Sequence, residues 1–372
     1  MEQRNHFPLF SYEGTAEGDG ISPCVRQQSL ICACVLAVIF ILLVPVMEWP
    51  DAMDHISRRL AQQTWYPLDL FSLYATLPSP ESSGGHGYFA DHYMYQPLPA
   101  YFWVNLERLP VVLAIIVGLS VLAAKNGSAL LLFCPPLIYS LAAPSQEVIA
   151  ISLLLAAAII SHRSPLGTVL LVALSVAIDR SMAPSGVFVV LFAVVTPFRS
   201  MVLDLKLVVV IGMLLLIGTS LLSPLDMIGD VDHKTKLILG LTAEDIRDGS
   251  ENGGHNLFAL AASTMGLYGW MSIRPFPYWI YYPIIAALFT VGFVTSVPSR
   301  KSLFVALFMV SYLVLWLMPT LSQARYYPLL TLAFWGMVVS GVRAVKIQPV
   351  ALFGFVITAS AAGCIASLLN AL

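Results

Sequence analysis

Charge is scarce in this chain. Only 11% of its 372 residues are Asp, Glu, Lys or Arg, against roughly 25% in a soluble domain, and a net charge of -2 leaves no basic stripe of the kind that neutralises phosphate backbones. Nucleic acid is therefore not an expected partner. Cysteine is sparse as well. Cys32, Cys34, Cys134 and Cys364 lie in apolar runs and Cys24 stands alone in the N-terminal segment, so neither a zinc-type pairing nor a disulfide framework is expected. There is no internal repeat and no inverted pair of Gly/Pro-broken apolar segments, and the interiors of the apolar runs hold almost no charge. A transporter or flippase needs ionisable groups in mid-span, so these absences place that class second. The first apolar run starts too late and runs too long for a cleaved signal peptide, which leaves residues 1–28 as an expected polar, retained cytoplasmic tail.

What the chain has in abundance is apolar surface: 58% hydrophobic residues and a mean hydropathy of +0.82. Its apolar runs recur near the roughly 20 residues that a helix needs to cross a bilayer. Spans are expected near Leu30 to Met47, Leu109 to Ala124, Ala129 to Ala142, Val148 to Ser161, Pro165 to Ile178, Gly186 to Phe198 and Leu207 to Leu222. Four more are expected near Tyr278 to Val297, Leu303 to Met318, Pro328 to Val342 and Val350 to Leu369. The expected class is all-α: a polytopic transmembrane bundle of about eleven spans over residues 29–372. The run Asn256 to Ile273 is read as re-entrant or as lying along the membrane, because a twelfth crossing would put Arg300 and Lys301 opposite the other small basic loops.

With the N-terminus inside, Arg4, Arg26, Lys125, Arg163, Arg199, Lys206, Arg300, Lys301, Arg343 and Lys346 collect on the cytoplasmic side, mostly in very short loops. Of the 21 acidic residues, all except Glu2, Glu13, Glu17, Asp19 and Asp204 fall on the other side. His55, His86, His92, His233 and His255 join them there, in two long external loops at residues 48–108 and 223–255. Loops of that length in a compact protein are usually functional or disordered, so any chemistry is expected to be external. The one sequon, Asn126-Gly127-Ser128, falls in a hairpin expected in the cytoplasm.

Four constellations there carry polar chemistry. Asp51, Asp54 and His55 follow the first span, and Met53, Ile56 and Leu60 recur at helical spacing with Arg58 and Arg59 opposite, as in a helix lying on the bilayer. The plainer alternative makes Asp51 an N-cap and Asp54–Arg58 an i,i+4 pair. Tyr93-Met94-Tyr95-Gln96-Pro97-Leu98-Pro99 leads into Tyr101-Phe102-Trp103, either an interfacial aromatic belt or a platform for a sugar face. Pro144-Ser145-Gln146-Glu147 opens the fourth span, where Glu147 either complements a helix dipole or faces a wet cavity. Asp179-Arg180 and Arg325-Tyr326-Tyr327 place guanidinium groups on the outer side, against the charge bias; such groups suit phosphate, although Asp179 and Arg180 also neutralise each other.

An acid after the first span, a long first external loop with interface helices, and a Tyr-x-Pro-rich start to the second span together resemble the polyprenyl- or dolichyl-phosphate-sugar-dependent membrane glycosyltransferases of GT-C fold, mannosyltransferases most of all. Asp51 through Leu60, Tyr95-Gln96-Pro97-Leu98 and Pro144-Ser145-Gln146-Glu147 carry the resemblance, which covers the first half of the chain. The spacing here is Asp-x-x-Asp where several such families have Asp-x-Asp, which leaves open which acid is catalytic. The late external arginine is also similar to that of Wzy-type polysaccharide polymerases.

The resemblance implies inverting transfer of a sugar from a lipid phosphate to a glycan or glycolipid acceptor on the non-cytoplasmic face. It implies Asp51 or Asp54 as base with His55 as helper, Gln146 and Glu147 on sugar hydroxyls, and Tyr95, Gln96, Asp179 and Tyr326 lining the substrate site. Arg180 and Arg325 would hold the phosphate. No cofactor is expected; Asp51, Asp54 and His92 lack the tight spacing that would require a divalent metal. The plasma (inner) membrane is favoured over the endoplasmic reticulum. A non-catalytic subunit that binds a protein partner through the long loops is the third reading.

Overall fold

A computed structural model describes residues 23–43, 98–125, 134–142, 147–161, 163–179, 182–194, 260–261, 263–266, 278–317 and 324–371. Among these the chain is all-helical. The helices are α1 (Pro23–Leu43), α2 (Leu98–Lys125), α3 (Pro135–Ala142), α4 (Glu147–Ile160), α5 (Pro165–Ile178), α6 (Ala183–Val194), α7 (Tyr278–Thr295), α8 (Pro298–Leu317), α9 (Pro328–Ala344) and α10 (Pro349–Ala371). A short 3-10 turn, Ala324–Tyr326, precedes α9. Proline sets most of the starts. Pro23, Pro135, Pro165, Pro298, Pro328 and Pro349 each open a helix, where the missing amide would have had no intrahelical partner and the fixed φ suits the first turn. Ser164 adds a side-chain cap to α5 by accepting from the Gly167 amide at 3.2 Å.

Several boundaries follow the sequence expectation closely, α5 among them. The second helix differs. It begins at Leu98 rather than Leu109, so Glu107 and Arg108, expected to end the first external loop, lie within α2. The expected span at 207–222, the interface helix at 51–60 and the loop at 223–255 lie outside the described residues.

By length and composition one described helical window, Leu106–Lys125, is long and apolar enough to cross a bilayer; Gln27–Leu43, Glu147–Ile160, Pro165–Ile178, Ile280–Thr295, Pro328–Ala344 and Val350–Ile365 are shorter apolar helices. The core runs through α1, α3, α4 and α9, with Trp335, Tyr139 and Tyr281 among its largest fully buried side chains. The most extensive pairing joins α7 to α9. There Gly292 and Gly341 bring the two backbones together: a Cβ on Gly292 would land on the Met337 carbonyl, and one on Gly341 on the Leu288 carbonyl. Phe289 stacks on Phe334 beside that crossing, centroids 4.5 Å apart.

Helix α5 has its polarity reversed relative to a water-facing amphipathic helix. Leu166, Val169, Leu170 and Leu174 form an exposed apolar stripe, Leu166 being 72% exposed, while Thr168, Ser175 and Asp179 are buried. The buried hydroxyls tie α5 antiparallel to α4: Ser175 Oγ donates to the Ala150 carbonyl at 2.7 Å and Thr168 Oγ1 to that of Ala157 at 3.4 Å. Ser175→Ala is expected to lower stability by about 1 kcal/mol, because the Ala150 carbonyl already serves its own helix and loses only the second partner. Thermal unfolding in detergent checks this, with the half-buried Ser340→Ala as reference; Ser340 Oγ donates within its own helix, to Gly336 O.

The hairpins sort the charges. Glu147 opens α4, Asp179 closes α5 and Arg325 precedes α9, all at one end of the bundle. Arg163 in the α4–α5 turn, Arg300 and Lys301 after α7, and Arg343 and Lys346 at the end of α9 occupy the other. The α9–α10 turn closes by the Ile347 amide donating to the Val342 carbonyl at 3.0 Å, with Lys346 left-handed at φ 59°.

Candidate functional site

The polar end is assembled from three separate stretches. Glu147 is the first residue of α4, where a carboxylate is favoured by the positive end of the helix dipole. Asp179 caps α5 in an extended conformation, its amide donating to the Ser175 carbonyl at 2.9 Å, and is buried. Arg325 and Tyr326 sit in the 3-10 turn that Pro328 forces, since a residue before proline is disfavoured in the α region; Tyr327 accordingly takes φ -126°, ψ 53° before α9 begins.

That turn is held from both sides. The Ala324 amide donates to Ser263 Oγ at 3.0 Å, Trp335 Nε1 donates to the Thr264 carbonyl at 3.0 Å, and Thr331 Oγ1 donates to the Tyr327 carbonyl at 2.9 Å. Ser263 and Thr264, part of the run expected to be re-entrant, are thus pinned against the start of α9.

Within this frame Arg325 Nη1 lies 2.8 Å from Glu147 Oε2, and Nη2 donates to the Tyr326 hydroxyl at 2.6 Å. The guanidinium also lies over the Tyr326 ring, 4.7 Å from its centroid. The pair is largely withdrawn from water, with side-chain exposures of 9% for Arg325 and 14% for Glu147. Burial pushes the Tyr326 phenol well above its ordinary range; Arg325 opposes that shift, and the negative charges of Glu147 and Asp179 add to it. Tyr326 therefore keeps its proton across the physiological range. It accepts from Arg325 through its oxygen and can donate through its hydrogen. Asp179 is thus within electrostatic reach of Tyr326, so four residues from three separate stretches of the chain share one neighbourhood.

No family model, curated protein or solved structure matches this chain. Of the residues singled out from sequence, Glu147, Asp179, Arg325 and Tyr326 are brought together. Asp51, Asp54, His55, His92, Tyr95, Gln96, Gln146 and Arg180 lie outside the described residues. Glu147 and Arg325, expected to serve different parts of a ligand, contact each other.

Two features were not picked out from sequence. Ser263 and Thr264 read as ordinary small polar residues in an apolar run, and nothing local marks them as the buttress of the Arg325 turn. Arg108 is buried at 3% exposure within α2, and its signal was visible: an ionisable pair with Glu107 inside an otherwise apolar stretch.

Proposed function

We propose that this chain is a polytopic membrane glycosyltransferase of about eleven spans, which moves a sugar from a polyprenyl-phosphate-linked donor to a lipid-linked or glycan acceptor on the non-cytoplasmic face of the plasma (inner) membrane. The observation that carries the reading is the meeting of Glu147, Asp179, Arg325 and Tyr326 at the end of the bundle opposite Arg163, Arg300, Lys301, Arg343 and Lys346. A lipid-phosphate donor keeps its tail in hydrocarbon while its sugar and phosphate reach the wet rim, so the chemistry belongs at helix ends and not in mid-span. The exposed apolar stripe of α5, backed by buried hydroxyls, supports a hydrocarbon surrounding.

In this mechanism Asp51, or Asp54 in its place, accepts the proton of the acceptor hydroxyl as that oxygen bonds to the anomeric carbon, with His55 assisting. The bond from the anomeric carbon to the phosphate oxygen breaks, and its electron pair leaves on the phosphate, where Arg325 and Arg180 meet the charge. Glu147, Gln146, Asp179, Tyr95, Gln96 and Tyr326 position sugar and phosphate.

Purified full-length protein in vesicles, supplied with polyprenyl-phosphate sugars, is expected to turn over at least one donor without a second subunit. Replacing the base, Asp51→Asn or Asp54→Asn, should slow transfer by about 10²- to 10⁴-fold. Wild-type rates in both variants would remove the base assignment, and no turnover of any donor would remove the transferase reading. Sidedness is checked separately with a membrane-impermeant thiol reagent: a cysteine at Ser82 should react in intact cells, and one at Lys346 only after permeabilisation.

A further inference from the structure

The Arg325–Glu147 pair bears on how an anion reaches the guanidinium. We propose that the Glu147 carboxylate stands in for a phosphate, and that a ligand of the lipid-phosphate class binds by taking Glu147's place on Arg325, releasing Glu147 toward the sugar. This exchange rests on the reading of the rim as a lipid-phosphate sugar site.

The geometry separates a fixed receptor from a movable occupant. Arg325 is held by its stacking on Tyr326 at 4.7 Å, by the Tyr326 hydroxyl at 2.6 Å, and by a backbone anchored through Ala324 to Ser263 and through Tyr327 to Thr331. Glu147 is the terminal residue of its helix, carries the more exposed side chain of the two, and meets the guanidinium at Nη1. In the exchange the Glu147 side chain rotates off that edge of the guanidinium and the phosphate takes its place. A tetrahedral phosphate can meet a planar guanidinium with two parallel hydrogen bonds, where Glu147 supplies the contact at Nη1. Tyr326, protonated and with its oxygen already taken by Arg325, has a hydrogen to give a phosphate oxygen. A neutral ligand is disfavoured, because displacing Glu147 takes away the carboxylate 2.8 Å from a buried guanidinium and puts no negative charge in its place. The exchange therefore selects for phosphate and couples its arrival to the freeing of a carboxylate beside it.

Binding of a short-chain prenyl monophosphate to the full-length protein in detergent, followed by calorimetry, tests this without any sugar transfer. Glu147→Gln vacates the receptor and is expected to bind roughly tenfold tighter than wild type, while Arg325→Gln should bind at least roughly tenfold more weakly. The prenyl alcohol of the same chain should show no difference among the three proteins. If Glu147→Gln does not fold, Glu147→Asp, one methylene short of Arg325, should still bind more tightly than wild type. Unchanged or weaker binding by the folded Glu147 variant overturns the exchange. A gain seen with inorganic phosphate and not with prenyl phosphate overturns the ligand class. Arg325-dependent prenyl-phosphate binding with the expected gain, in a protein that transfers no sugar, would remove the transferase reading and keep the exchange.

Discussion

Gly341→Leu is expected to abolish the folded protein, and Gly341→Ala to destabilise it by about 3 kcal/mol or more. The reason is the identity of the atoms in the way. A Cβ at Gly341 runs onto the Leu288 carbonyl and lies 3.1 Å from the Gly292 amide nitrogen, and one at Gly292 runs onto the Met337 carbonyl and lies 2.7 Å from the Gly341 nitrogen. These are backbone atoms of two helices, so relief requires the helices to part, and parting them unstacks Phe289 from Phe334 and pulls Ser296 from Met337. Under the proposed membrane setting, close packing of this kind is itself the main attraction between apolar helices, so its loss is not offset by another term. Gly118, Gly336 and Gly354 are the controls, since nothing lies within 4 Å of a Cβ built on any of them. Gel filtration and thermal unfolding in detergent give the comparison. A Gly341→Leu protein that melts with Gly336→Leu would show that the α7–α9 approach does not hold the bundle together.

The second large effect falls on the Arg325–Glu147 pair, of which Arg325 is buried and Glu147 half-buried, and it is asymmetric. Removing one partner of a fully buried pair costs about 3–5 kcal/mol, and the partial exposure of Glu147 puts this pair at the lower end. Glu147→Gln leaves a guanidinium that cannot shed its proton, whereas Arg325→Gln leaves a carboxylate that escapes its burial by taking one up. Glu147→Gln is therefore expected to be the more destabilising of the two. The double variant Glu147→Gln with Arg325→Gln should be more stable than Glu147→Gln alone, since it leaves no buried charge at that contact. Under the proposed function Arg325→Gln also slows sugar transfer by about 10²- to 10³-fold, the loss typical of one donor aimed at developing charge. Arg325→Lys is expected to recover little of it. An ammonium is a compact charge without the planar fork, and cannot serve Glu147 and Tyr326 while stacking on the Tyr326 ring. Denaturation of the single and double variants gives the stability cycle; equal stabilities for both single variants would show that losing the carboxylate beside Arg325 costs no more than losing the guanidinium beside Glu147.

The sequence reads well wherever a local rule was unopposed. Pro165 to Ile178 was legible end to end because serine, proline and a closing aspartate bracket a continuous apolar run. At the second helix the local signs conflicted. Tyr101-Phe102-Trp103 and the Glu107-Arg108 pair read as boundary and loop, yet Leu98 through Lys125 is one helix on which Arg108 is buried, so the apolar run that follows extends its helical structure back through the charged pair.

At the site, the residue types and the end of the bundle on which they fall follow from charge sidedness along the chain, since helices joined by short turns must alternate direction. The sequence by itself therefore determined the helical class, most helix starts through their prolines, and the gathering of Glu147, Asp179, Arg325 and Tyr326 at one end. Only the tertiary structure decided that Glu147 and Arg325, 178 positions apart, would contact each other, and that Gly292 and Gly341 would mark a backbone crossing. Spacing along one helix is set by local sterics, whereas the pairing of distant helices is set by the packing of the whole bundle, which no short stretch of sequence encodes.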